Sequence, residues 1–519
     1  MRKLFLAIFL ISSAFSMAQL PEDALRYSFP LPGGTARNQA IGGAGASLGG
    51  DLTSAHINPA GIGLYKNKEF VISPGFNFLN NKYSYRGTSN NGKDNAFSYG
   101  TSGVVFGGIK QNNPTRSSAF SISINQLANY NNRVQYSGLN KISSWSEQYV
   151  EQLANDQATV GDAEQNYIFG SSLAYWTFLV DTLSDPQGNV RGYQSNVPVP
   201  GNESGTGGVN QFNTVDTKGG AHEIALAYGN SFNDQLHLGV SINVPFYSYT
   251  KDQTFREEDA TQNALNGFSF FEYKEKYTTT GIGFNAKLGM IIRPIERLRL
   301  GLALHTPTFA SMTDQIRSSI VTNTENYTTY PQPMSKTSEE LKDNPDVGTY
   351  EYQVRTPLKF IASGSWVLNE VSDIKKQKGF LTADVEVVNY GGTRYSASGT
   401  TGSSDDFEYY DELNSVIKSR YKTALNVRLG GELKFNTIMA RAGFAYLSSP
   451  YSDKQLLGKR MLVSGGAGYR NKGFFVDLTY VHGFIKQSDV PYYLSDKPNP
   501  IADGKNSRGS VALTFGVKI

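Results

Sequence analysis

The sequence predicts an all-β fold, a transmembrane antiparallel β-barrel of about fourteen strands. Three observations predict it. Apolar residues recur at every second position in segment after segment, tight connections alternate with long ones, and the alternation runs to the last residue. Side chains on a strand point alternately to its two faces, so each such segment carries one apolar and one polar surface.

The first element is an export signal. Arg2 and Lys3 precede an apolar run from Leu4 to Phe15, and Ser16-Met17-Ala18 stands before Gln19. A basic start, a short apolar core and small residues at the cleavage positions predict a signal over 1–18 and a mature chain from Gln19. The run is shorter than the roughly 20 residues a spanning helix needs. The 519 residues include no cysteine, which excludes disulfides, thiolate metal sites, a cysteine nucleophile and a cysteine-linked lipid. Net charge is +3 with no long run of one sign, so nothing favours nucleic acid. No later stretch reaches roughly 18 continuous apolar residues, so spanning helices are not expected. The 53 glycines and 31 tyrosines suit sheet and interfacial aromatics.

The strands follow. Leu298, Leu300, Leu302 and Leu304 alternate with Arg299, Gly301, Ala303 and His305, and the segments 236–246, 282–292 and 425–435 repeat the pattern. Strands are expected near 68–86, 94–110, 117–137, 220–232, 235–250, 270–293, 296–320, 349–369, 378–397, 418–435, 437–449, 459–470, 473–487 and 507–519. A soluble sandwich would alternate in the same way; the connections separate the two. Tight ones at 232–235, 293–296, 435–437 and 470–473 alternate with long ones at 138–219, 251–269, 321–348, 398–417 and 488–506, apart from a mid-length turn at 370–377. Short periplasmic turns and long extracellular loops are the pattern of outer-membrane barrels. Val511, Leu513, Phe515, Val517 and Ile519 place the chain's end in a strand, as closure without a free edge requires. Ile519 departs from the aromatic residue on which such barrels more often finish.

Two regions do not read as strands: 19–65, and the connection 138–219. In the latter, Ser144-Trp145-Ser146-Glu147 fits a capping box, followed by Tyr149, Val150 and Leu153 at helical spacing. Its apolar residues Phe169, Leu173, Trp176, Phe178 and Leu179 form either a small loop core or an extracellular capture surface for an apolar ligand. Gly45-Ala46-Ser47-Leu48-Gly49 matches a hydrolase elbow in letters, but no strand precedes it, as the elbow requires. Of the five histidines, His237 and His305 fall on polar strand faces and His56 lies ahead of the first strand. None is paired at metal-ligand spacing, and a satisfied polar role is the expectation for each.

The segment from Ala36-Arg37-Asn38-Gln39-Ala40-Ile41-Gly42-Gly43-Ala44-Gly45 through Asp51 to Ser54-Ala55-His56-Ile57-Asn58-Pro59-Ala60-Gly61-Ile62-Gly63-Leu64 resembles the start of a known family. These are the FadL-type (FadL/TodX) outer-membrane transporters of long-chain fatty acids and aromatic hydrocarbons. Their Gly/Ala-rich lead ends in an Asn-Pro-Ala motif, matched here by Asn58, Pro59 and Ala60. The likeness covers 36–65 in motif and the whole mature chain in architecture. It implies a fourteen-stranded barrel over 67–519, with a partly helical extracellular loop at 138–219. An N-terminal helical hatch over 19–66 would plug the lumen, with Ile57, Asn58, Pro59, Ala60, Ile62 and Leu64 as hatch or ligand-binding residues. It further implies an outward apolar groove, an apolar pocket inside, and an inward kink of the third strand that opens the wall. Phe120, Ile122 and Ile124 alternate cleanly before the pattern fails, so Gln126, Leu127, Ala128 and Asn129 are the candidate kink; a strand leaving the bilayer at Gln126 would look the same.

The function expected is passive uptake of hydrophobic small molecules across the outer membrane. Loops capture the ligand, and it passes the hatch and exits sideways into the membrane. The alternative is a receptor for haem or another hydrophobic cofactor, and a third reading is a lipase acting through Ser47. The expected partners are a hydrophobic small-molecule ligand, membrane lipid and the barrel-assembly machinery, with the chain a monomer. No cofactor, metal or enzymatic activity is expected.

Overall fold

The computed structural model describes residues 21, 23–28 and 33–519, apart from 111–112, 200–206, 262, 343–347, 370–377, 399–403 and 454–457. The expected export signal lies outside the described residues. Fourteen antiparallel strands close one barrel. Several are built from two segments meeting at a short interruption: Lys68–Ile72 with Pro74–Tyr85 (first strand), Thr88–Tyr99 with Ser102–Lys110 (second), Asn113–Asn129 with Asn132–Asn140 (third), Leu298–His305 with Phe309–Asn323 (seventh), Thr349–Arg355 with Lys359–Leu368 (eighth), and Gly379–Asn389 with Arg394–Ala397 (ninth). The others are Val209–Phe232, Leu236–Asp259 and Phe270–Ile295 (fourth to sixth), then Thr423–Phe435, Ile438–Leu447, Arg460–Asn471, Phe474–Asp489 and Ala502–Lys518 (tenth to fourteenth). The ring closes where the last strand pairs the first, Phe70 opposite Val517 and Gly75 opposite Ala512.

An apolar belt girdles the outside. Leu238, Val240, Ile242 and Val244 are exposed on the fifth strand, and Ile282, Phe284 and Leu288 on the sixth. Higher on the same outward faces stand Ser248, Lys274 and Lys276. A belt spanning 238–246, tilted about 45°, is roughly 20 Å tall. Strands of 24 and 26 residues therefore continue well above the bilayer. Above the belt the outward face turns polar and the apolar–polar period across the strand is lost while the ladder persists, so several strands extend past the sequence boundaries. The fourth begins at Val209 rather than near 220, which shortens the connection 138–219 to 141–208. The first hairpin also departs from the expected alternation. Instead of a connection at 87–93 it turns on Arg86 (φ 47°) and Gly87 (φ 85°), both left-handed, as a two-residue hairpin turn demands.

The connection 141–208 folds into a small lid of three helices, Glu147–Asn155, Val160–Gln165 and Ser171–Trp176, and a hairpin, Val180–Ser184 with Val190–Ser195. Its Trp145, Leu153, Leu173 and Leu179 pack on Phe255, Phe271, Tyr273 and Ile320, which face inward at the top of the fifth to seventh strands. The lid therefore occupies the extracellular mouth. The Glu257 carboxylate fixes it by accepting from Ser144 Oγ (2.5 Å) and Trp145 N (2.8 Å).

Residues 33–65 lie inside the ring. Their bonds reach strands on every side: Ser117 Oγ to Gly63 O, Arg299 to Leu48 O, Thr382 Oγ1 to Ala44 O, Ser464 Oγ to Ala40 O and Ala36 N to Thr514 Oγ1. The wall is glycine where the segment presses on it. A β-carbon at Gly239 would overlap the Pro59 backbone, and one at Gly289 would overlap the Asn58 side chain.

Candidate functional site

Above that segment lies a cavity of about 160 Å³. Its floor includes Asn38, Thr53, His56 and Ile57; its side is the third strand at Asn125, Gln126, Leu127 and Ala128; its roof includes Arg26, Tyr27, Tyr130 and Tyr247. The resemblance implied an apolar pocket, and here the structure differs. Glu223, Lys287, Lys359, Glu386 and Arg428 all line it, because inward faces of spanning strands carry the polar half of the alternation.

These groups form two clusters. The Glu223 carboxylate bonds His56 Nδ1 (2.9 Å), the Lys287 ammonium and Asn285 Nδ2 (3.3 Å), while His56 Nε2 meets Ser123 Oγ (3.0 Å). Glu386 pairs with Arg428 at 3.0 Å and accepts from Asn426 Nδ2 at 2.7 Å. Lys359 completes the set, and among the described residues no hydrogen bond or ion pair holds its ammonium. Lys287, Lys359 and Arg428 thus face Glu223 and Glu386, three cations to two anions. Arg26 is paired separately with Asp23 at 2.6 Å. The arrangement suits an anionic group beside Lys359.

The expected hatch residues divide. Ile57 lines the cavity, whereas Asn58, Pro59, Ala60 and Ile62 are buried and Leu64 nearly so, against the wall. The Asn58 amide donates to Ala46 O (2.7 Å), Met290 O (3.2 Å) and Leu302 O (3.3 Å), and its Oδ1 accepts from Ala60 N. The motif locks the segment to two strands and does not reach the cavity. His305 Nε2 donates to Ile57 O at 2.7 Å, so both cavity histidines are engaged. Ser47 is fully buried, 2.7 Å from Ser363 Oγ, which lies 2.5 Å from Asp384 Oδ1.

At the candidate kink the third strand bulges. Gln126 pairs His222 and Ala128 pairs Ala221, leaving Leu127 unpaired. Beyond it, Asn132–Asn140 pairs the fourth strand, but among the described residues no ladder joins it to Thr88–Tyr99 of the second. It runs instead through the interior: Tyr136 packs on Tyr83 and Tyr85 and donates to Asp489 Oδ2 of the thirteenth strand at 2.6 Å. Side-chain amides replace the missing ladder, with Asn129 Nδ2 donating to Phe97 O and Asn90 Oδ1 accepting from Ser137 N.

Of the residues expected to capture ligand, Phe169, Leu173 and Leu179 are buried in the lid, because the segment folds back on the barrel rim. Trp176 stays exposed and Phe178 half-buried. Phe178 stacks on exposed Tyr330 at 5.8 Å, and Lys336 lies over Trp176. The cavity carboxylates and cations went unremarked as a site in the sequence, though Lys287 and Arg428 are legible as polar-face residues.

No protein-family model matches this chain, and no curated protein does. Solved structures do. A FadL homologue of Pseudomonas aeruginosa aligns over 94% of this chain and 99% of its own, at 15% identity and a TM-score of 0.53. The toluene transporter TodX of P. putida aligns over 94% and 99%, at 10% identity and a TM-score of 0.50. A TodX deltaS2 mutant, described as a monoaromatic hydrocarbon channel, aligns over 95% and 100%, at 10% identity and a TM-score of 0.51. The likeness is one of fold.

Proposed function

We propose that this chain, a barrel with the FadL/TodX-type fold, is a monomeric outer-membrane channel for passive uptake of hydrophobic molecules with an anionic head, such as long-chain fatty acids. The observation that carries the reading is the cavity: it is lined by Lys359, whose ammonium no hydrogen bond or ion pair holds among the described residues, and it abuts the third-strand bulge. The working division is an export signal over 1–18, a hatch over 19–66 and a barrel over 67–519. Insertion is by the barrel-assembly machinery into membrane lipid.

Lateral exit follows from two energies. Each buried methylene is worth about 0.8 kcal/mol, so an acyl chain of roughly fourteen forgoes on the order of 11 kcal/mol if it must cross water. Downward passage would also displace the hatch, which is held by Asn58 and by buried ion pairs running from Arg37 to Glu432 (3.3 Å) and on through Arg441 to Asp477 (2.6 Å). A side exit disturbs neither. The cavity is smaller than the roughly 300 Å³ typical of drug-sized sites, so the tail must extend toward the wall or the roof must shift. Nothing specific favours the haem reading, because His56 and His305 already spend the ring nitrogens that face the cavity wall and hatch. Ser47, hemmed in by Ser363, is read as structural.

The test is mass spectrometry of molecules co-purifying with the folded protein, paired with uptake of a labelled fatty acid by cells carrying it. Acyl chains bound and uptake above the empty vector are expected. Neither binding nor uptake would overturn the reading.

A further inference from the structure

We propose that the outer wall at the periplasmic end of the first three strands binds an anionic phospholipid, its phosphate held by Lys68, Lys110 and Arg116. The proposal rests on the membrane-spanning reading and is independent of the ligand carried through the bore. Phe70, Phe106 and Phe120 stand exposed where the apolar belt ends on these strands. Alternation puts Lys68 on the outward face with Phe70, Lys110 with Phe106, and Arg116 with Phe120. The ladder sets Lys68 opposite Phe106, and Phe106 opposite Phe120. Three cations therefore edge one aromatic patch, at the level where long basic side chains reach headgroups while their stems stay on apolar surface.

Between the Phe106 and Phe120 rings and the lower two cations the wall is shallow. Gly108 pairs Ser118 there, two residues below Phe106 and Phe120 and two above Lys110 and Arg116. A β-carbon at Gly108 would meet nothing within 4 Å. Such a notch admits a compact anion from the side, with acyl chains lying on the rings above it. Among the described residues no ion pair or side-chain hydrogen bond engages any of the three cations; Arg116 only lies over the Phe232 ring at 5.2 Å. The acidic side chains of that end are engaged, Asp234 with Lys66 at 3.2 Å and buried Glu69 with Lys518 at 3.6 Å. A general adaptation to the headgroup layer would charge every turn alike. The turn Phe435-Asn436-Thr437-Ile438 carries no charge, and 293–297 sets Glu296 between Arg293 and Arg297. The uncompensated cations belong to one arc, beside the seam where the last strand meets the first.

The test titrates phosphatidylglycerol against phosphatidylcholine on the purified full chain, with native mass spectrometry counting bound lipid. A cation beside an anionic headgroup is worth about fivefold in affinity, so wild type should prefer phosphatidylglycerol about tenfold or more. Lys68→Gln/Lys110→Gln/Arg116→Gln should bind the two lipids within twofold of one another. Gly108→Phe fills the notch at unchanged charge and should cut the preference to below threefold. Lys274→Gln/Lys276→Gln, higher on the outward face, should keep it, and millimolar glycerol phosphate should not displace the lipid. Equal affinity of wild type for both lipids, or an undiminished preference in the triple variant or in Gly108→Phe, would overturn the site alone. So would equal loss in the upper pair, or displacement by glycerol phosphate. Folded wild type that fails to enter phospholipid vesicles would overturn the membrane-spanning reading beneath it.

Discussion

At the residue scale, the proposed function places head recognition at Lys359 and hatch anchoring at Asn58, two roles that the resemblance implied for one motif. Among the described residues no hydrogen bond or ion pair holds the Lys359 ammonium, and Glu386 beside it keeps Arg428 at 3.0 Å, so removal of Lys359 leaves no buried charge stranded. A charge-assisted hydrogen bond is worth about 1.5–3 kcal/mol. Lys359→Ala should therefore weaken binding of a fatty acid about 10- to 100-fold and leave the matching fatty alcohol within threefold, measured by competition binding on purified protein. Equal losses for both ligands would remove Lys359 from head recognition. Asn58→Ala acts elsewhere, stripping a donor from one buried and two partly buried carbonyls, at a cost of about 2 kcal/mol. Amide exchange across 33–65 should accelerate roughly 30-fold while Lys359-dependent binding persists; unchanged exchange would mean the motif does not hold the hatch. Asn58 was legible because its motif is contiguous. Glu223, Lys287 and Lys359 were not, since each is an ordinary polar-face residue until strand order brings them to one level of the bore.

At the element scale, the belt was readable and what rises above it was not. Below Phe246 an outward position must be apolar, so alternation marks each strand; above it water wets the outside, and the period fades although Val209–Phe232 remains one continuous strand. The third strand shows the same limit. Its pattern fails at Gln126, and neither departure from the bilayer nor a kink follows from that failure alone. The structure has a bulge there, with Leu127 left out of the ladder. In the lid, Phe169, Leu173 and Leu179 are buried in a small core while Trp176 stays exposed. Leu173→Ala should destabilise the lid by about 2–5 kcal/mol, read as faster proteolysis within 141–208 with the barrel intact. Trp176→Ala should leave proteolysis unchanged and slow capture of dilute ligand. The reverse pattern would return Leu173 to the capture surface.

At the scale of the whole molecule, closure, belt and stopper act together. A closed wall pairs backbone groups strand to strand, as lipid demands, and where the third strand retreats the amide side chains of Asn129 and Asn90 bond the neighbouring backbone. The stopper is pinned to strands around the ring, so the account's central claim is that ligand travels with the bore still blocked. Ser47 of the hatch and Ser363 of the wall stand with their hydroxyls 2.7 Å apart, against the roughly 2.05 Å of a disulfide bond. Fatty-acid uptake by Ser47→Cys/Ser363→Cys, compared oxidised and reduced, tests the claim directly. The account predicts equal rates in the two states; uptake lost on oxidation and regained on reduction would contradict it.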